Sequence, residues 1–235
     1  MCTVTLVPLG KSNFILTSNR DESPKREALD PAFYIEDGVK LLYPKDKVAG
    51  GTWVGVSDKN RLVCLLNGGF SAHKREAFYR LSRGVVVKDL LCSNHILETI
   101  REYNLIGVEP FTVILVDWND ALSFYELVWD GETKHLKNLD IEPHIWSSSS
   151  LYTENMKQVR SHWFQEFKME KELNPNTLLE FHKTAGNTNR DFGVIIDRGF
   201  VKTTSITQVE KLDKCLHMRF LNLQKNTESL TLFNI

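Results

Sequence analysis

The chain has 235 residues, 42% hydrophobic and 25% charged, which is one domain's worth of sequence with enough apolar material to fold around its own core. Its net charge of −1 excludes a protein that tracks a phosphate backbone, which needs a clear basic excess, and suits a small-molecule ligand better. Four cysteines without CxxC or CxxxC spacing exclude a disulfide framework. Apolar runs of about five to eight residues fall far short of the roughly 20 a membrane helix needs. The start, MCTVTLVPLGK, has neither a basic head nor a sustained apolar run, so no signal peptide is expected and the expected address is the cytoplasm.

Residues 2–8 (CTVTLVP) and 13–18 (NFILTS) read as strands joined by the turn LGKSN. Residues 23–49, with Pro24, Pro31 and Pro44, read as an irregular surface excursion. A second strand pair follows, GTWVGVSD from Gly51 and RLVCLLN from Arg61, joined by the short polar loop DKN. Three- and four-residue apolar spacing then predicts helices over 75–93 and 94–104. Strands return at 111–118, 122–131 and in KHLKNL. SSSS at 147–150 is a polar turn ahead of a helix over 153–172, for which Thr153 is the expected N-cap, and a shorter helix covers 174–185. The end, GVIIDRGFVKTTSITQVE from Gly193 followed by CLHMRFLNL and SLTLFNI, reads as antiparallel strands. There is no βαβ alternation, nucleotide-loop motif, internal repeat, linker or heptad run, so residues 1–235 are expected to be a single α+β domain.

The second strand runs into SNRDES. There Asn19, Arg20, Asp21 and Glu22 place an amide, a cation and two anions at one strand terminus. Alone, NRDE is as well read as a solvated turn with local ion pairs. Cys2 changes the reading, because the first two strands form a hairpin that makes residues 2 and about 20 neighbours across the pair. An arginine beside a thiol stabilises the reactive thiolate. Removal of Met1, expected ahead of a small residue, would leave Cys2 with a free α-amine of pKa about 7.7–8.0 beside a thiol near 8.5. One residue then carries both nucleophile and general base.

Asn67, ahead of Gly68 and Gly69, is placed to offer an amide N–H to an oxyanion, or the tripeptide simply turns the chain. In GGTW, Gly50 and Gly51 permit close backbone approach, and Trp53 is a core residue with a second candidacy as a ligand platform. Arg190 in NTNRD is either an anion-steering residue or a surface charge. The seven histidines do not cluster and no HxxxH or HExxH spacing occurs, so no metal site is expected.

Met-Cys at the start, NRDE at 19–22, GGTWVGVS at 50–57 and LLNGG at 65–69 together resemble the NRDE family, also called the transport and Golgi organisation 2 family. The motifs lie within residues 1–70, and their order is more specific than any one of them. The resemblance implies an N-terminal-nucleophile hydrolase layout, a four-layer αββα sandwich of two antiparallel sheets between helices. By similarity to the amidases of that layout, Cys2 matches the nucleophile, Arg20 the arginine near the thiol, Asp21 the aspartate that holds the amine and Asn67 the oxyanion amide. The family's asparagine ahead of its later helix is replaced here by Ser148, and Arg190 matches the arginine of its GTR segment.

These residues fit two function classes. The first is a cysteine N-terminal-nucleophile amidohydrolase, with Cys2, Arg20, Asp21 and Asn67 catalytic and Asn19, Glu22, Trp53, Ser148 and Arg190 binding, and with no required cofactor. The second, implied by the family's association with haem trafficking and lipid and coenzyme-A metabolism, is a non-catalytic carrier of haem or an acyl or coenzyme-A-type ligand. A fold remnant with no ligand is the third reading.

Overall fold

The computed structural model describes residues 3–234. They form two antiparallel sheets with four helices. In chain order the elements are β1 (Thr3–Leu9), β2 (Asn13–Glu22), β3 (Ala28–Glu36), β4 (Val39–Asp46), β5 (Val54–Ser57), β6 (Arg61–Asn67), α1 (Arg83–Cys92) and α2 (Ile96–Glu102). There follow β7 (Phe111–Asp117), β8 (Ser123–Trp129), β9 (Lys134–Leu139), β10 (His144–Ser147), α3 (Glu154–Glu170), α4 (Pro175–Thr184), β11 (Lys202–Leu212), β12 (Cys215–Asn222) and β13 (Thr227–Asn234). The chain divides into two compact units: the segments up to Glu27 and from Glu142 onward form one, and Ala28–Ile141 forms the other.

In the first unit the strand order is β10-β1-β2-β11-β12-β13. The β1–β2 register pairs Thr3 with Asn19, Thr5 with Thr17 and Val7 with Ile15. Strand alternation therefore puts these six on one face. Val7 and Ile15 pack there with Phe164 of α3 and Leu178 and Phe181 of α4. Towards the head of β1 the same face turns polar, through Thr5 and Thr17 to Thr3 and Asn19, all fully buried. Buried polar groups require partners, and the partners come from the helices. Helix α3 starts at Thr153, whose side chain accepts from Met156 N. Helix α4 starts at Asn174 in a reciprocal capping box with Thr177, with Pro175 in its first turn.

In the second unit the order is β3-β4-β5-β6-β7-β8-β9. Its core gathers Leu41, Val63, Leu65, Val113 and Leu115 of the sheet with Val87 and Leu91 of α1 and Ile100 of α2.

Three expectations are corrected, and one strand has no counterpart in the sequence reading. Residues 23–49 are not an irregular excursion but contain the hairpin β3–β4, turned at Asp37 and Gly38, both with positive φ (50° and 77°). Its prolines are tolerated because β3 is an edge strand, and the register slips between Leu29 and Ala32, where Pro31 and Pro44 fall. The helix expected from residue 75 begins at Arg83, since Ser82 caps it by accepting from Gly84 N, and 74–78 are exposed and bury no helical face. Residues 193–201 form a loop ahead of β11. His144–Ser147 form β10, an edge strand too short for periodicity to reveal.

Candidate functional site

The sequence NRDE ends β2 in the middle of its sheet, between β1 and β11. Alternation sends Asn19 and Asp21 to the helix-bearing face and Arg20 to the other. Asn19 donates from Nδ2 to His182 O (3.0 Å) and Val194 O (2.6 Å). Both partners are carbonyls and only accept, so the remaining Asn19 Oδ1 must be the acceptor of its 2.6 Å contact with His182 Nδ1. That fixes the histidine tautomer, with Nε2 accepting from Thr5 Oγ1 at 2.8 Å. Burial, and secondarily the Arg160 charge, push the His182 pKa down to about 3.

Asp21 is 2% exposed. Its Oδ2 accepts from Tyr152 OH at 2.7 Å and its Oδ1 from Thr203 Oγ1 at 2.5 Å. Thr203 lies opposite Asp21 in the β2–β11 register, and Thr204 is the extra residue where that register shifts. The shift lets Thr204 Oγ1 meet Arg20 Nη1 at 3.1 Å, while the same Nη1 donates to Arg26 O at 3.0 Å. Glu22 pairs with Arg26 at 3.1 Å.

Arg160 of α3 is fully buried. It donates to Thr3 Oγ1 (2.7 Å), Ser147 Oγ (3.4 Å), Phe192 O (2.9 Å) and Gly193 O (2.5 Å). Its guanidinium carbon lies 3.6 Å from the centre of the Tyr152 ring. Thr3 is the first described residue of β1, flanked by Asn19 and Ser147 on its two neighbouring strands.

Of the residues singled out in the sequence, Asn19, Arg20, Asp21, Glu22 and Ser148 share the first unit. Ser148 is buried after β10, with Oγ 2.9 Å from Ser150 Oγ and its carbonyl accepting from Tyr152 N. Arg190 lies in the same unit on the exposed loop before β11, its carbonyl accepting from Asp197 N. Asn67 and Trp53 belong to the second unit. Asn67 is the last residue of β6, and the turn after it is fixed by Gly68 N donating to Pro110 O and Thr112 Oγ1 donating to Gly68 O. Trp53 is buried just ahead of β5. Cys2 lies outside the described residues. Among the others, burial raises Cys92 to about 11, Cys64 is buried and Cys215 is exposed.

Arg160, Tyr152, Thr203 and His182 were not singled out as site residues. A signal existed for Arg160: it sits in the row Met156, Arg160, Trp163, Phe164, Phe167, where helical spacing puts an arginine on the apolar stripe. Thr203 and Tyr152 carry no local signal, because only the fold brings them to Asp21.

Among the described residues, no group of three or more His, Cys, Asp or Glu side chains is placed to hold a metal, and no helix is long and apolar enough to cross a membrane.

The two-sheet α+β architecture is that of the N-terminal-nucleophile hydrolases. Penicillin V acylase from Agrobacterium tumefaciens matches with a TM-score of 0.55 and 10% identity over 100% of this chain and 86% of that one. The Caenorhabditis elegans N-acylethanolamine-hydrolyzing acid amidase ortholog matches with a TM-score of 0.59 and 12% identity over 88% and 92%. A variant of the conjugated bile acid hydrolase from Clostridium perfringens matches with a TM-score of 0.51 and 9% identity over 100% and 97%. At these identities the likeness is one of fold. No curated protein matches in sequence. The profile of the Transport and Golgi organisation 2 family matches residues 1–220, and the chain belongs to that family.

Proposed function

We propose that this protein is a cysteine amidohydrolase that cleaves a linear carbon–nitrogen amide, or a thioester, with Cys2 as its nucleophile. The observation that carries this reading is the buried Asp21 carboxylate. Tyr152 and Thr203 clamp it at the end of β2, two residues past the Asn19 that pairs with Thr3. The chain joins Cys2 directly to Thr3, so a carboxylate so placed suits the partner of an α-ammonium group. The buried Arg20 guanidinium supplies positive charge suited to a thiolate. The names of the structural neighbours, an acylase, an acid amidase and a bile acid hydrolase, support the same class.

In this reading the α-amine of Cys2 takes the thiol proton, and the thiolate adds to the carbonyl carbon. The oxyanion that forms needs a hydrogen-bond donor, and removing one such donor typically costs about 10²–10³ in rate. The C–N bond breaks, the amine leaves with the proton held by the ammonium, and water then cleaves the thioester to return the free thiol.

Intact mass and turnover on a panel of acyl amides test this. Loss of the Met1 mass and turnover that falls at least about 10²-fold in Cys2→Ala are expected. A retained Met1, or hydrolysis indifferent to Cys2→Ala, refutes it. Saturable binding of haem or an acyl-coenzyme A without turnover, unchanged in Cys2→Ala, would instead favour the carrier reading.

A further inference from the structure

We infer that Arg160 and Tyr152 are positioning residues that reference the two halves of this site to a single rigid group. The inference rests on the amidohydrolase reading. Arg160 is fully buried, donates to two hydroxyls and two carbonyls, and lies against an aromatic ring. Taking a guanidinium out of water carries a desolvation cost that an apolar side chain filling the same space avoids, so burial alone does not account for an arginine here.

What the guanidinium gives, and an apolar residue would not, is direction. Its planar fork fixes Thr3 Oγ1 at 2.7 Å, hence the head of β1. Its flat face holds the Tyr152 ring at 3.6 Å, and the Tyr152 hydroxyl fixes Asp21 Oδ2 at 2.7 Å. Thr3 and Asp21 thus sit at the two ends of one relay, Thr3–Arg160–Tyr152–Asp21. Thr203 occupies the other carboxylate oxygen, so the carboxylate plane is set from both sides. The relay fixes the Asp21 carboxylate relative to Thr3, and both relay residues are buried, Arg160 fully and Tyr152 at 3% exposure.

The test uses the full chain and the rate of Cys2 alkylation by iodoacetamide against pH, read by peptide mass spectrometry. Exposed Cys215 in the same molecule is the internal reference. Tyr152→Phe keeps the ring and its stacking but loses the hydroxyl. In the wild type, Cys2 is expected to react at least about tenfold faster than Cys215 at neutral pH. In Tyr152→Phe the midpoint of the Cys2 curve is expected to move by about half a pH unit or more, the size of a lost hydrogen bond, with the Cys215 curve unmoved. Arg160→Lys, which keeps the charge and loses the flat fork, is expected to move it in the same direction, and serves alone if the phenylalanine variant does not fold. Cys2 curves in both variants that superimpose on the wild type overturn the relay while leaving the hydrolase reading standing. A wild-type Cys2 no more reactive than Cys215 overturns both.

Discussion

His182 has both ring nitrogens committed to neutral partners, Asn19 and Thr5. Its folded pKa of about 3 lies below the ordinary 6.5, so the unfolded chain binds a proton there that the folded chain refuses. Stability from this group is therefore full above pH 6.5 and declines as pH falls towards 3, by roughly 1.4 kcal/mol per unit. Urea unfolding at pH 7 and pH 5 should show a loss of about 2 kcal/mol in the wild type beyond that in His182→Gln. An equal loss in both would contradict the assignment. Arg160→Leu should lower stability at pH 7 by about 2–4 kcal/mol, because Thr3, Ser147 and two carbonyls lose their donor together. Asn19 to Glu22 could be picked out in the sequence because four polar residues ending a strand are contiguous. Tyr152 and Thr203 could not, since they lie 131 and 182 residues from Asp21.

Helix α1 meets the segment before β5 through glycine. A Cβ on Gly84 would stand 2.9 Å from Thr52 O, and one on Gly51 3.0 Å from Gly84 Cα. Alanine at 84 gains about 1 kcal/mol of helix propensity, but the obstacle is backbone, which cannot swing aside, and overpacking costs about 1–3 kcal/mol. Gly84→Ala should thus lower the urea midpoint, and a raised midpoint would refute the close approach. Strands that are short bounded apolar runs, such as Arg61–Asn67, and helices with strong caps, such as α3 behind Thr153, match the sequence reading closely. The β3–β4 hairpin escaped it because its prolines outweighed the Asp37-Gly38 turn signal, and tertiary pairing settled the contest. The false helical start at residue 75 came from apolar spacing in a segment where Phe78 is 82% exposed.

For the whole molecule the decisive fact is connectivity. The chain begins in one unit, leaves it at Glu27, builds the other through Ile141, and returns. The segment 71–80 is exposed along most of its length and contains Lys74 and Arg75, which makes it the expected first site of tryptic cleavage. Limited trypsin should nick there, and the fragments should stay together through the β6–β7 ladder that joins Arg61–Asn67 to Phe111–Asp117. Initial cutting at Lys88 inside α1 would contradict this. The α+β class could be inferred from element order and the two-sheet layout only from the family resemblance, whereas the split into units could not, because no composition shift marks residues 27 or 142. The pairing of Asp21 with Thr203 has a consequence during synthesis. The carboxylate on β2 leaves the ribosome early, but the hydroxyls that orient it come from Tyr152 and from β11, in the later part of the chain. A chain interrupted before β11 carries the NRDE sequence with its aspartate unclamped. Synthesis through β11 thus completes the clamp, and under the amidohydrolase reading stalled products are expected to be inert.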